Sequence, residues 1–386
     1  LKGLTSSGKN TVNIRKSLVV VQFAISIFLI IGTLTVLKQI NHVKDRPVNY
    51  DKELLVSVPI KSKKIIDEFS SLRTELLKSP YIEEVAASDV TITNTATTNG
   101  GFEWKGKDPN FDDSFYTLRS THGFGEMIDW EIVDGRDFSS NYKSDSLSFI
   151  VNETAVKYMN LDNPLGEQIR WGNNGTYTIV GVVKDMVTRS PFDPMVPSIF
   201  VLHYGGFLNN VNIKLSGNDS VDKALAGIET VFNRYSPETT FTYNFVDEEY
   251  ERKFAGAERI ASLTSIFSIV AILISCLGVL GLSTFMAIQR KKEIGIRKVL
   301  GASVASIWGL LSKQFLILVL IAFGIAIPLG YYYSTNWLEG YAYRTSLDIW
   351  TMVIAAVIIL GFTFVTVSFQ SIKAAISNPI KSLRTE

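Results

Sequence analysis

Three histidines, one cysteine and a few adjacent acid pairs are the side chains here best suited to metal binding, proton transfer or nucleophilic attack. Metal capture by histidine needs ligands at a short fixed spacing, as in HExxH. His42, His122 and His203 are far apart and none stands in such a spacing, so they read as surface or turn residues. Cys276 lies in an apolar run, and one thiol per chain builds neither a disulfide framework nor a thiolate metal site. Glu83–Glu84, Asp112–Asp113 and Glu248–Glu249 are adjacent in sequence. Neighbouring side chains diverge on a helix or strand, so these pairs read as solvated faces, not as shared-proton dyads. No GxSxG turn occurs. Gly3–Asn10 (GLTSSGKN) comes one residue from a phosphate-binding loop, but Asn10 stands where a hydroxyl would hold magnesium, and the stretch reads as a basic tail. Asn152, Asn174 and Asn218 open sequons, a match of composition only. No catalytic residue, cofactor or metal is expected, and the chain does not read as an enzyme.

The remaining chemistry is charge. Gln289–Ser303 (QRKKEIGIRKVLGAS) gathers Arg290, Lys291, Lys292, Arg297 and Lys298 between two apolar segments. Glu293 and Arg297 form an i,i+4 pair in the favoured orientation, and Ile294 and Lys298 are likewise i,i+4 neighbours. Lys291–Leu300 can therefore form a short amphipathic helix at a membrane surface, which Gly301 ends. A net charge of +1 argues against a nucleic-acid binder, and the bases cluster beside apolar segments instead of forming one broad stripe.

The elements that position this loop are membrane helices. The 386 residues are 46% hydrophobic and only 19% charged, with mean hydropathy +0.18, too apolar for an ordinary soluble domain of this size. Four spans are expected, at 17–40, 259–289, 312–336 and 348–372. The third contains Pro328, which removes a backbone donor and predicts a kink. Tyr331, Tyr332, Tyr333 and Trp337 form an aromatic belt at its exit. With four spans, the tail 1–16, the loop 290–311 and the tail 373–386 share one side; all three are rich in Lys and Arg, so that side is the cytoplasm. Residues 41–258 and the short loop 337–347 then lie outside, in the periplasm of a bacterium, with the chain multi-pass in the cytoplasmic (inner) membrane.

The 41–258 region has the mixed charge and turn clusters of a water-soluble α+β domain. Two β-α-β units frame it, within 50–95 and 208–247: strand Glu53–Pro59, helix Lys63–Lys78 and strand Ile82–Val90, then strand Asn210–Leu215, helix Val221–Tyr235 and strand Phe241–Val246. Their four strands are expected to share one sheet, as in split β-α-β folds. The stretch 100–205 is expected to be a separate β-rich subdomain, with strands at Ser148–Val151, Thr176–Val183 and Ser198–Leu202. Residues 247–258 contain no proline and run straight into the second span, predicting one continuous stalk helix.

The order KKEIGIRKVLGAS before an apolar helix resembles the signature loop of FtsX-like ABC transporter permeases, the MacB-type superfamily. LVVVQFAISIFLIIG at 18–32 is similar to their first helix. Asp134–Phe138 (DGRDF), Val151–Glu153 (VNE) and Asn163–Gly166 (NPLG) resemble turns of their inserted subdomain, and Asn378–Arg384 resembles their tail. The resemblance implies four membrane helices plus a porter-like periplasmic domain with a β-rich insert. It implies a non-enzymatic subunit that works with a separate cytoplasmic ATPase dimer, pairs with a second permease half or with its own copy, and engages a periplasmic adaptor. Lys292, Glu293, Ile294, Gly295, Ile296, Arg297, Lys298 and Gly301 are the implied ATPase-coupling residues. Transport, efflux or extraction of a peptide, lipoprotein or macrolide-like substrate is the implied role. The alternatives are a signalling platform for a peptidoglycan hydrolase and an antimicrobial-peptide sensor. The first residue, Leu1, and the basic tail are read as the start of the second half of a duplicated eight-helix permease, the other reading being a four-helix subunit that dimerises.

Overall fold

The computed structural model describes residues 4–94, 97–203, 207–217, 221–290, 293, 296–297 and 300–376. They form two units, one of residues 1–44 with 256–386 and one of residues 45–255. Helix α1 (Leu4–Lys44) opens the first. The second begins with β1 (Leu55–Pro59), α2 (Lys63–Asp67), α3 (Phe69–Leu76), β2 (Ile82–Ser88), β3 (Thr98–Asn99), β4 (Phe102–Glu103), β5 (Phe115–Ser120), α4 (Phe124–Ile128) and β6 (Ile132–Gly135). It continues with β7 (Ser148–Asn152), α5 (Glu153–Met159), β8 (Gln168–Trp171), β9 (Thr176–Val183), β10 (Ser198–Leu202), β11 (Asn210–Leu215), α6 (Val221–Tyr235), β12 (Asn244–Phe245) and α7 (Val246–Arg252). Helices α8 (Ala255–Gln289), α9 (Val304–Glu339) and α10 (Ile349–Ile376) follow.

In the helical unit, α1, α8, α9 and α10 are each long and apolar enough to cross a membrane. Val19, Phe23, Ile27 and Ile31 of α1 enter a core with Phe315, Val319, Ala322 and Ala326 of α9 and Ala355 and Ile359 of α10. Gly330 permits the close approach of α9 to α1, since a Cβ there would sit 3.0 Å from the Ile31 side chain. Toward α8 the contacts are small and polar: Ser26 Oγ lies 2.9 Å from Ser275 Oγ and Thr33 Oγ1 2.9 Å from Ser268 Oγ. The two pairs are seven residues apart on each helix, one heptad of an antiparallel pair, and small hydroxyl residues let membrane helices approach where no hydrophobic force drives them together. At its far end α1 pins the α9–α10 loop, Gln39 bonding both the Tyr343 carbonyl and the Thr345 N–H at 2.8 Å. Helix α9 runs through Pro328 without interruption to Glu339. Tyr331, Tyr332 and Tyr333 are exposed.

In the second unit, β12, β1, β11 and β2 lie side by side, all neighbours antiparallel, with α2, α3 and α6 supplying the apolar cover. This is the split β-α-β arrangement. Ile65, Leu72, Ile213 and Ile228 are at most 1% exposed there, each burial stabilising the fold by about 1.5–3 kcal/mol.

Four expectations need correction. The 100–205 stretch is not separate: its strands continue the same sheet, joined by the pairing of Ser88 in β2 with Ser120 in β5, and run on as β10, β7, β9, β8 and β4. Phe124, Trp130 and Phe200 of the insert share one core with Leu55 and Ala86 of the framing units. The helix at 63–78 is two helices, broken at Glu68, where the backbone turns to φ −110° and ψ 20°. The strand at 241–246 shrinks to Asn244–Phe245. The stalk is not continuous either: α7 stops at Arg252, and Lys253 and Phe254 form i→i−3 bonds at 3.1 and 3.0 Å before α8 begins. Phe254 is fully buried against Phe192 and Tyr250, and Lys253 donates to the carbonyls of Thr93 and Arg189. Those contacts, distant in sequence, set the break.

The presumed solvent-facing side chains also divide. Glu83 and Asp112 are exposed, whereas Asp113 is buried, accepting from Lys107 Nζ and, at 2.9 Å, from the Phe102 N–H. Burial alone would raise the Asp113 carboxyl, but those two donors hold it below its ordinary value. Glu84 turns inward to Arg73, at 2.6 Å. None of the three histidines is fully exposed, and His42 stacks on the Tyr343 ring at 4.6 Å.

Candidate coupling site

Of the loop residues singled out from sequence, Glu293, Ile296, Arg297 and Gly301 are described; Lys292, Ile294, Gly295 and Lys298 lie outside the described residues, as do Lys291 and the tail from Ser377 onward. Glu293, Ile296 and Arg297 are helical, and Arg297 Nη2 lies 3.1 Å from Glu293 Oε1. Both side chains are nearly half exposed, so the pair is a solvated brace and not a buried lock.

The turn ends in a defined way. The Leu300 N–H donates to the Ile296 carbonyl at 3.0 Å and the Ala302 N–H to the Arg297 carbonyl at 2.9 Å, with Gly301 between them at φ +89°. This is the six-to-one bond of a Schellman cap, and glycine holds the left-handed position without a Cβ penalty. Ser303 follows at once as N-cap of α9, its Oγ accepting from the Ser306 N–H at 3.3 Å. One helix is closed and the next opened within three residues. The junction is therefore an elbow fixed by backbone bonds. Ile296 and Leu300, one turn apart, are 53% and 80% exposed, an apolar pair with no cover among the described residues.

The turns of the insert have equally local causes. In Asp134–Phe138, Gly135 has φ +77°, and a Cβ there would overlap the Val180 carbonyl. Arg136 forms two bonds to the fully buried Asp145, at 2.7 and 2.6 Å, while the Ser139 N–H donates to the same carboxylate at 2.9 Å. Burial pushes the Asp145 carboxyl up, but Arg136 and the Ser139 N–H outweigh it and leave it below its ordinary value. Asp137 accepts from Trp130 Nε1 at 3.0 Å, and burial raises its carboxyl. Asn152 is the buried N-cap of α5, accepting from Ala155 N–H and Ser198 N–H and donating to Val196 O. As a sequon it would need to be open to solvent; it is a structural cap instead. Sequence reasoning missed the Arg136–Asp145 lock because the partners stand nine positions apart, at no helix or strand spacing. Among the described residues no group of His, Cys, Asp and Glu could hold a metal ion.

In the α9–α10 connection, Lys38 Nζ lies 2.9 Å from Asp348 Oδ2 and the Thr351 hydroxyl 2.9 Å from Asp348 Oδ1.

Comparison with known proteins adds two family matches: the MacB-like periplasmic core domain over residues 18–231 and the FtsX-like permease C-terminal family over residues 265–379. The chain is 26% identical over 279 residues to an uncharacterized ABC transporter permease, YknZ, of Bacillus subtilis, covering 68% of each chain. It is 21% identical over 278 residues to the macrolide export ATP-binding/permease protein MacB of Bdellovibrio bacteriovorus, where the match covers 66% of this chain but only 41% of that longer protein. Among solved structures, the periplasmic region of MacB from Actinobacillus actinomycetemcomitans aligns at 15% identity and TM-score 0.39, covering 52% of this chain and 93% of that one. The extracellular domain of YknZ from Gram-positive bacteria aligns at 14% identity and TM-score 0.35, covering 49% and 98%.

Proposed function

Because this chain belongs to the FtsX-like permeases that carry a MacB-like periplasmic core domain, we propose that it is a transmembrane subunit transmitting ATP-driven motion to that domain. It is an inner-membrane protein with four apolar helices and a periplasmic α/β domain. Hydrolysis belongs to a separate cytoplasmic ATPase dimer, which contacts the elbow between α8 and α9. A second permease half or a second copy completes the membrane assembly, and a periplasmic adaptor receives the output. The outcome is export or extraction of a substrate, a reading supported by the macrolide export named for one relative.

The observation that carries this reading is the elbow itself. Gly301 and Ser303 fix the junction through backbone bonds, and the turn before it presents Ile296, Leu300 and the Glu293–Arg297 pair to solvent. A rigid joint with an uncovered apolar pair is suited to receive a push, whereas a mere topological anchor would need only positive charge. Uncovered apolar side chains flanked by charge fit a protein contact.

The test is photo-crosslinking in intact cells that express the chain with its ATPase. A benzophenone amino acid in place of Leu300 should give an adduct of the two proteins, and the same group in place of Tyr331, in the external aromatic belt, should not. An absent adduct at position 300, or an equal yield at both positions, overturns the reading.

A further inference from the structure

Between the cytoplasmic halves of α9 and α10 lies an apolar groove of about 370 Å³, lined chiefly by Trp308, Phe315, Val319, Leu360 and Phe364. Its end wall is fixed: Trp308 Nε1 donates to Ser368 Oγ at 3.0 Å, and the indole meets the Phe364 ring edge-on at 5.4 Å. Its floor is closed by Phe315 and Val319, at most 1% exposed. The groove stays open at Gly309, where an added Cβ would meet nothing within 4 Å.

The rim differs in character from the walls. Lys313 is exposed and has no ion pair among the described residues, and the buried Ser312 Oγ beside it has no hydrogen-bond partner. Nothing in the surrounding helices neutralises the ammonium. From Val304 to Leu338, and throughout α10, the sequence holds no Asp or Glu, and the same is true of α1 and of α8 beyond Glu258. A second copy of this chain could fill the slot with an apolar helix, but its membrane helices would bring no carboxylate to Lys313. An apolar slot with one exposed cation and one unpartnered hydroxyl beside it calls for an amphiphile whose head is an anion.

We propose that this groove holds an acyl chain of an anionic glycerophospholipid of the cytoplasmic leaflet, with the phosphate on Lys313 and its ester region near Ser312. Basic pockets between membrane helices on the cytoplasmic side bind anionic headgroups by this combination of charge and slot. The assignment depends on the topology and not on the contact with the ATPase.

The experiment uses the full chain, purified and delipidated, and titrated with phosphatidylglycerol and phosphatidylcholine of identical acyl chains, with adducts counted by native mass spectrometry. Wild type should bind phosphatidylglycerol about fivefold more tightly than phosphatidylcholine, the effect of about one lysine near an anionic head. Lys313→Gln should bring phosphatidylglycerol down to the phosphatidylcholine level while melting like wild type, since Lys313 is exposed and has no ion pair among the described residues. Gly309→Leu, which fills the groove, should weaken both lipids. The proposal is overturned by equal binding of the two lipids to wild type, by a preference that survives Lys313→Gln, or by adducts that Gly309→Leu leaves unchanged. A wild-type dimer that Gly309→Leu splits without altering the lipid adducts assigns the groove to a second copy and overturns it as well.

Discussion

Reversing either charge of the Glu293–Arg297 pair separates two roles that the pair can have. As a brace for its helical turn, an exposed i,i+4 pair at 3.1 Å stabilises by only about 0.3–0.5 kcal/mol. Adding a like-charge repulsion of similar size keeps the total near 1 kcal/mol, against an overall stability of about 5–15 kcal/mol. Glu293→Arg and Arg297→Glu should therefore fold, with melting shifts of no more than about 4 °C. A charge desolvated against the ATPase is a different case, since placing the wrong sign there costs about 2–5 kcal/mol, more than tenfold in binding. The assay is ATPase activity of the partner subunits reconstituted in proteoliposomes with wild type, each single variant and the double swap. Both single variants should lose at least about nine-tenths of the stimulation. The double swap should be equally defective, because it rebuilds the brace but offers the partner inverted charges. Recovery in the double swap would show that the pair only braces the helix, and full stimulation by both single variants would remove the elbow from the coupling path; either result refutes the reasoning.

Two further outcomes follow from the periplasmic domain. Arg136→Ala leaves the buried Asp145 carboxylate without its guanidinium, a loss of about 3–5 kcal/mol for a fully buried pair and about 2–3 kcal/mol here, where Arg136 is a third exposed. The domain's melting temperature should fall by about 4–10 °C. Because the Asp145 carboxyl lies lower in the folded than in the unfolded chain, its stabilisation is present above the unfolded value near pH 4 and is lost as pH falls through the folded one. Wild type should accordingly lose more stability than the variant between about pH 6 and pH 3; parallel curves contradict the assignment. Gly125→Ala places a Cβ on the Trp130 indole and on Asp137, which share a 3.0 Å bond. It should destabilise by about 1–3 kcal/mol and shift the tryptophan emission of the domain, and an unshifted spectrum counts against the close approach.

What could be read from sequence depended on whether its cause was local. The membrane helices are written in uninterrupted apolar runs, and the split β-α-β frame in the periodicity of Ile65, Leu72, Ile228 and Phe232. The Gly301 stop and the Glu293–Arg297 spacing are likewise properties of a few consecutive residues. The break at Lys253–Phe254 left no such trace, for the one helix-weakening residue nearby, Gly256, lies beyond it inside α8, and the contacts to Thr93, Arg189 and Phe192 that hold the break are supplied only by folding. The joining of the insert to the main sheet rests on one pairing, Ser88 with Ser120, and on side chains from three stretches meeting in one core. Asp113 and Asn152 look like solvent-facing residues in any short window and are buried because their partners lie 11 and 46 residues away.

The chain passes twice between its two units, and each unit ties its own two crossing points together. In the helical unit Lys44 Nζ meets Glu258 Oε1 at 2.7 Å. In the other, Arg46 bonds the carbonyls of Pro191 and Asp193 while Lys253 bonds that of Arg189, so the entering and leaving segments hold the same short loop. A domain whose two ends meet in this way is a cassette. It can be exchanged for another domain without asking the helices to spread, because both of its ends are held at one place.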